Sequence, residues 1–385
     1  MAQGVVYLDN AATSYPKPPA VLDAMRAAIE RIGASPGRGG HRQAIEAGRA
    51  VFRCRAAVAD LIGASEPERV AFTKNATEAI NTALCGVLRP GDRVVTTDIE
   101  HNAMWRPLCR LARTGVEVDV VPAEPDGTVD PERMLRAIGE GTRLVALTHA
   151  SNVLGALVDV RPIAAAAHAA GALVLLDAAQ TLGERPLDVE GLEIDLLAAP
   201  GHKGLLGPQG TGFLYVGPRV DAIEPLTFGG TGSRSEEEQQ PDVLPDRLES
   251  GTLNLPGIAG LSAALSYLAE HGDAVRASVR QRTAELVTGL SEIAGVRLLG
   301  PREGAVRAGL VAFTLGQTDS EEVAAALDQR GVACRGGLHC APQAHRKAGT
   351  LDRGAVRLSP GPFTSAEDVE TAIRAVDALA REVLP

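Results

Sequence analysis

The sequence predicts an α/β fold with a mainly parallel sheet, and three observations carry that prediction. Strand-like apolar runs recur at 69–73, 93–97, 116–121, 144–148, 172–176, 195–198 and 212–216. Helically periodic segments at 77–88, 103–113, 131–138 and 160–169 lie between most of them. With 385 residues and 45% hydrophobic content, the chain holds enough apolar material to cover such a sheet with helices.

The pattern changes further on. Residues 229–246 (GGTGSRSEEEQQPDVLPD) are rich in Gly, Pro and acids and have no apolar period, which predicts a mobile, solvated loop. Two helical segments, 256–270 and 273–293, precede strands at 296–299, 310–314, 332–335 and 355–358, with helices at 320–329 and 365–382. The expected organisation is a large domain over 15–260 and a small α+β domain built from 1–14 and 261–385.

The formal net charge of −10 is spread as interspersed acids and bases. No basic block is present to follow a phosphate backbone, so no nucleic-acid partner is expected. No apolar run reaches the ~20 residues of a membrane span, and residues 1–10 lack the basic start and apolar stretch of a leader. A cytoplasmic protein is expected. The five cysteines, Cys54, Cys85, Cys109, Cys334 and Cys340, are odd in number and widely spaced, which predicts free thiols.

Three positions point to a bound cofactor. Asp177 closes the apolar run in LLDAAQ, and open α/β sheets bind ligands at the carboxyl ends of their strands. A carboxylate there can hold a pyridine nitrogen protonated, as pyridoxal 5'-phosphate (PLP) chemistry requires, or can simply cap the next helix. Lys203 sits in the glycine-rich turn GHKGLLGPQG. A partly desolvated amine there can form a Schiff base, whereas a surface lysine more commonly stands in a helix among other charges. Thr77, in the strand-to-helix turn KNATEAIN, offers a hydroxyl beside free helix amides, which suits a phosphate and equally suits ordinary capping.

The stretches YLDNAAT (7–13), KNATEAIN (74–81), EHN (100–102), HASNVLG (149–155), LLDAAQ (175–180), GHKGLLGPQG (201–210), ESGTLN (249–254), GGLHCAP (336–342) and VRLSPG (356–361) span nearly the whole chain. Together they resemble the class V, fold-type I PLP-dependent transferases, and specifically the cysteine desulfurase family with its selenocysteine lyase relatives. The resemblance implies PLP carried as a Schiff base on Lys203, with Asp177 at the ring nitrogen. It also implies His101 stacked on the ring and able to join in proton transfer, Asn152 beside the ring near the 3-hydroxyl, and Gln180 bonded to that oxygen. Ala76, Thr77 and His202 would hold the phosphate. Thr252 would reach the phosphate of a neighbouring subunit, which implies a homodimer. Outside the family, His101 and His202 read as capping or surface histidines, Asn152 as a turn residue and Gln180 as a solvated helix residue. One position departs from the pattern: SUF-type desulfurases have Ser or Thr two residues before the His–Lys pair, where this chain has Pro200. Proline has neither a hydroxyl nor an N–H to offer, so weaker cofactor retention is expected.

Arg357, in VRLSPG, matches the family arginine that pairs with the substrate carboxylate. A planar guanidinium can hold a carboxylate bidentately and so fix which Cα bond stands perpendicular to the ring. Read alone, it is a surface arginine at a strand end. Asn10, in DNAAT, is implied at the same carboxylate, in what is otherwise a short edge strand. Cys340, in the glycine-flanked loop GGLHCAP, matches the desulfurase nucleophile. Cys54, Cys85 and Cys109, on predicted helices, fit the usual buried structural role, and Cys334 reads as a core strand residue. A role for His339 in thiolate activation stays open. His339, Cys340 and His345 match no zinc spacing, so no metal is expected.

The expected reaction converts L-cysteine to L-alanine. Lys203, aided by His101, moves the Cα proton, and Cys340 takes the sulfur as a persulfide for an acceptor protein. Open alternatives are a cysteine or cystine C–S lyase, a selenocysteine lyase and a class V aminotransferase. The intact set of Lys203, Asp177 and His101 opposes a non-catalytic scaffold, and no G-x-G-x-x-G turn follows an early strand to support a dinucleotide-binding dehydrogenase.

Overall fold

The structure, a computed structural model, describes residues 4–37, 39–301 and 307–383. Residues 1–3, which the sequence reading counted in the small domain and in the start without a leader, lie outside the described residues. Strand β1 (Val6–Tyr7) leads to α1 (Pro19–Ala27), which opens on proline at a position that needs no backbone donor. After a π-turn at Ala28–Ile32 comes α2 (Arg42–Ile62), closed by Gly63 at φ 68°. Ala44, Ala47, Val51, Cys54, Val58 and Ile62 recur every three or four residues and form the buried face of α2.

The next elements follow the predicted runs to within two residues: β2 (Val70–Thr73), α3 (Ala76–Val87), β3 (Arg93–Thr97), α4 (Asn102–Ala112), β4 (Glu117–Val121), α5 (Pro131–Ala137), β5 (Thr142–Thr148), α6 (Val160–Ala169), β6 (Leu173–Asp177), β7 (Leu196–Pro200) and β8 (Gly212–Val216). The strands form one sheet in the order β2-β8-β7-β6-β5-β3-β4. β8 runs antiparallel to both its neighbours and the other pairings are parallel. Both faces are buried, which explains the unbroken apolar runs. Leu173 and Leu175 point into one core cluster, and Val174 and Leu176 into the other. Because β2, β3, β5, β6 and β7 share a direction, the turns that follow them gather along one edge of the sheet.

Two predicted helices are one. Helix α7 (Leu255–Ser291) runs unbroken through His271 and Gly272, where the sequence reading placed a gap. Gly in a helix interior costs about 1 kcal/mol against Ala. That cost is offset because Leu261, Leu265 and Leu268 anchor one end in the core of the large sheet while Leu286 and Leu290 anchor the other in a third cluster. The third cluster lies under β9 (Val296–Leu299), β10 (Val311–Leu315) and β12 (Val356–Leu358), an antiparallel sheet in the order β12-β10-β9, together with α8 (Ser320–Asp328) and α10 (Ala366–Val383). Strand β11 (Val332–Ala333) pairs in parallel with β1, and the short helix α9 (Pro342–Ala348), which the sequence reading did not identify, follows the Cys340 loop. Residues 229–246 contain no helix or strand. Among the described residues no helix is long and apolar enough to cross a membrane.

A buried ion pair fixes the approach to α7. Arg55 of α2 forks onto Glu249 at 2.7 and 2.9 Å, lies over the Phe72 ring at 4.8 Å and donates to the Val70 carbonyl. Glu249 Oε1 also accepts the Phe72 amide at 2.6 Å. Replacing Glu249 by Gln leaves the Arg55 charge buried without a counter-ion. Such a loss typically costs about 3–5 kcal/mol, so Glu249→Gln is expected to lower the urea midpoint at unchanged slope; a midpoint equal to the parent's would show that the pair adds no stability.

Candidate active site

The turn that carries Lys203 is shaped by close backbone approach. An added Cβ at Gly201 would collide with Thr211 Oγ1, and one at Gly204 with the Leu182 carbonyl. Lys203 is therefore walled in by protein while keeping some exposure through the pocket mouth. Burial pushes its amine down to about 8; Asp177 opposes that shift, and the charges of Arg357 and Arg335 add to it.

The pocket in front of the amine is lined by Ala76, Thr77, His101, Asn152, Asp177, Gln180, Pro200, His202 and Lys203 among others. Each lies just after a parallel strand or at the end of one. Asp177 ends β6, and its Oδ1 accepts the Ala179 amide at 2.9 Å; burial raises its pKa, partly offset by that bond and by Lys203. Asn75 caps α3 by accepting the Glu78 amide at 2.9 Å, which leaves the first amides of the helix, those of Ala76 and Thr77, at the pocket wall. His101 caps α4: its Nδ1 accepts the Ala103 amide at 3.0 Å, so its proton sits on Nε2. Burial, then the Lys203 charge, hold His101 at about 4, and the same two causes hold His202 at about 4. Both rings are neutral at pH 7.

Three polar atoms around this space are buried without a partner: His202 Nδ1, Asn152 Oδ1 and Arg357 Nε. Each such atom costs about 1–3 kcal/mol, which is sustainable where a polar guest completes them. A flat ring with a phosphate tail fits this donor set, with a buried amine, a buried carboxylate and helix amides on separate walls.

Arg357, on β12, is fully buried, which removes the surface reading. Its guanidinium donates to Asn152 O at 3.0 Å and to Asp9 Oδ1 at 3.1 Å. Asp9 is its carboxylate partner within the chain. The Asn10 side chain donates to Ser359 O at 3.0 Å and accepts the Tyr15 amide at 3.1 Å. Cys340 is exposed, and its carbonyl accepts the Asn102 amide at 2.7 Å. His339 is buried, donates from Nε2 to Ala355 O at 2.9 Å, and is pushed by burial down to about 2. Its ring stacks on that of His345, 5.9 Å away. Thr252 lies outside the Lys203 pocket of its own chain, in a second hollow with Lys74 and Gly210. Among the other cysteines, Cys54 is buried, Cys334 is partly buried and Cys85 is partly exposed. Cys109 corrects the buried reading, because α4 turns it to solvent.

Four polar residues at the site went unread in the sequence. Besides Asp9, they are Arg335, Glu100 and Lys17. Arg335 meets Arg357 through an antiparallel bridge, a contact that depends on strand pairing and leaves no local signal. Glu100 is buried, accepts Thr97 Oγ1 at 2.6 Å and is pushed by burial up to about 8; an acid next to His101 in the EHN run was the available clue. Lys17 donates to the His202 carbonyl at 2.9 Å and is lowered by burial to about 8.

A buried amine on a turn at the carboxyl edge of a mainly parallel sheet, opposed by a buried carboxylate, defines a recognisable class of protein. The family model for class V aminotransferases matches residues 6–371, and the chain belongs to that family. Within it, the chain is 39% identical over 372 residues to a probable cysteine desulfurase of Methanothermobacter thermautotrophicus, covering 95% of this chain and 92% of the relative. It is 36% identical to a cysteine desulfurase of Haloferax volcanii over 98% of this chain and 90% of that one. Its fold is similar to the apo structure of a cysteine desulfurase from Thermococcus onnurineus, with a TM-score of 0.93, 34% identity and coverage of 98% and 95% of the two chains. It is also similar to the S-sulfonic acid form of the cysteine desulfurase CsdA from Escherichia coli, with a TM-score of 0.88, 30% identity and coverage of 100% and 96%.

The depressed amine gives a direct test. Reductive methylation of the protein without cofactor, read at Lys203 by peptide mass, is expected to rise with a midpoint near pH 8. Because Asp177 stabilises the ammonium, Asp177→Asn should move that midpoint lower. A midpoint near the ordinary lysine value of about 10.4 would contradict the burial described.

Proposed function

We propose that the chain is a PLP-dependent cysteine desulfurase that moves sulfur from L-cysteine to Cys340 and on to an acceptor protein, releasing L-alanine. The observation that carries this reading is the grouping of Lys203, Asp177 and His101 in one pocket with Arg357 behind it and the Cys340 loop bonded to its wall through Asn102 and Asn152. The curated relatives named as cysteine desulfurases support it.

When bound, PLP supplies an electron sink that makes the Cα proton of an amino acid acidic. Lys203 would hold it, with Asp177 toward the ring nitrogen and Asn152 and Gln180 beside the ring. The amides of Ala76 and Thr77 and the free Nδ1 of His202 would take the phosphate, joined by Thr252 of the partner subunit in a homodimer. Arg357, oriented by Asp9 and the Asn152 carbonyl, would bind the substrate carboxylate and set the Cα–H bond for removal, with Asn10 buttressing the segment that carries Asp9. An amine with a pKa of about 8 takes up and releases protons readily near neutral pH, so Lys203 suits the Cα proton and His101, protonated on Nε2, suits a second transfer.

Cys340 then attacks the substrate sulfur. An S–S bond forms as the C–S bond breaks; the electron pair goes to the substrate carbon, which is protonated, and the amino acid leaves as alanine. The thiol of the enzyme is oxidised to a persulfide and the substrate carbon is reduced, so no further reagent is needed.

Cys340→Ala is expected to lower alanine formation from L-cysteine by roughly a hundredfold or more with PLP absorbance unchanged, and the parent should show one added sulfur atom on the Cys340 peptide. Full alanine turnover in the variant would sink the role of Cys340, and pyruvate in place of alanine would identify an elimination. Pro200→Ser, which adds a hydroxyl at the pocket wall, should slow cofactor loss on dialysis; equal loss would show that position 200 contributes nothing to the phosphate.

A further inference from the structure

The loop that carries Cys340 is bent against its own preference. His339 at φ 48° and Cys340 at φ 58° are consecutive left-handed residues, and neither is glycine. Such conformations persist only where the surroundings hold them. The His339 carbonyl accepts Asn152 Nδ2–H at 2.7 Å, the Cys340 carbonyl accepts the Asn102 amide at 2.7 Å, and the His339 ring is tied to Ala355 O. These ties run to atoms outside the loop and add to the bond that closes the turn itself, from the Ala341 amide to the Leu338 carbonyl at 2.9 Å.

Asn102 is the first residue of α4. The opening amides of a helix have no carbonyl partner within it. His101 takes the amide of Ala103, so that of Asn102 is free to leave the helix, and it goes to the carbonyl of the candidate nucleophile. The same short turn therefore places one ring in the pocket and anchors the loop beside it.

We propose that the Asn102 backbone amide is a positioning group for sulfur transfer: with Asn152 it holds Cys340 in the left-handed turn from which its thiol reaches a substrate seated on Arg357. Its kinetic consequence rests on the desulfurase reading, whereas its effect on the order of the loop does not. Losing the amide frees the loop to relax to ordinary backbone angles and leaves Lys203, Asp177 and Arg357 in place.

The amide can be deleted with little other change. Proline is favoured at the first position of a helix, and His101 before it already has φ −69° and ψ 155°, the extended conformation that proline demands of its predecessor. In the holoenzyme, Asn102→Pro is expected to lower the maximal rate of alanine formation roughly three- to tenfold, the worth of about one hydrogen bond. KM for cysteine and PLP absorbance should stay at the parent's values, while hydrogen exchange in the segment 338–341 speeds up. Asn102→Ala, which restores the amide, should recover the rate and the slow exchange. An unchanged rate in the proline variant, an equal loss in the alanine variant, or loss of PLP absorbance with the rate would each overturn the proposal. If the parent itself yields no alanine, the desulfurase reading falls and exchange alone decides: faster exchange confined to the proline variant upholds the role of the amide in ordering the loop, and unchanged exchange overturns it.

Discussion

The candidate site depends on one geometric constraint: strands that share a direction deliver the turns after them to the same edge of a sheet. β2, β3, β5, β6 and β7 bring residues 76–77, 101, 152, 177 and 202–203 to one pocket although they are up to 127 residues apart in the chain. The reversed strand β8 keeps the rule intact, since it returns the chain after the lysine turn and lets β2 align with β7 at the end of the sheet. Tight packing of both faces supports these turns.

Charge at the site is governed by burial and by an excess of cations. Lys203, Arg357 and Arg335 act together on the same small space, and each lowers the proton affinity of His101. The imidazoles respond by staying neutral, which keeps their lone pairs and single N–H groups available for hydrogen bonding. Asp177 and Glu100 respond in the opposite direction, their proton affinities raised by burial. An anionic guest is the natural complement to such a field.

The fold was legible in the sequence wherever burial imposes a local pattern. Strands covered on both faces read as apolar runs, and helices such as α3 and α6 read from their period. The gap expected in α7 falls on His271 and Gly272, and the packing that carries the helix through them involves residues far apart in the chain. Motif residues such as Lys203 and Asp177 were legible for a different reason, as uncommon residue types at strand ends. Asp9, Arg335 and Lys17 were not, because their part comes from contacts with Arg357 and the His202 carbonyl that only the assembled chain creates.

The segment from Asp9 to Lys17 makes contacts on both sides of the site. At one end Asp9 holds the Arg357 guanidinium; at the other, Thr13, Ser14 and Lys17 converge on the carbonyl that immediately precedes Lys203. Helix α7 meanwhile extends for about 55 Å at the usual rise per residue with its two ends rooted in different cores. One connection is a stiff girder and the other a thin tether. The leading segment thus joins the Arg357 guanidinium to the turn that carries Lys203 by a route independent of the helix.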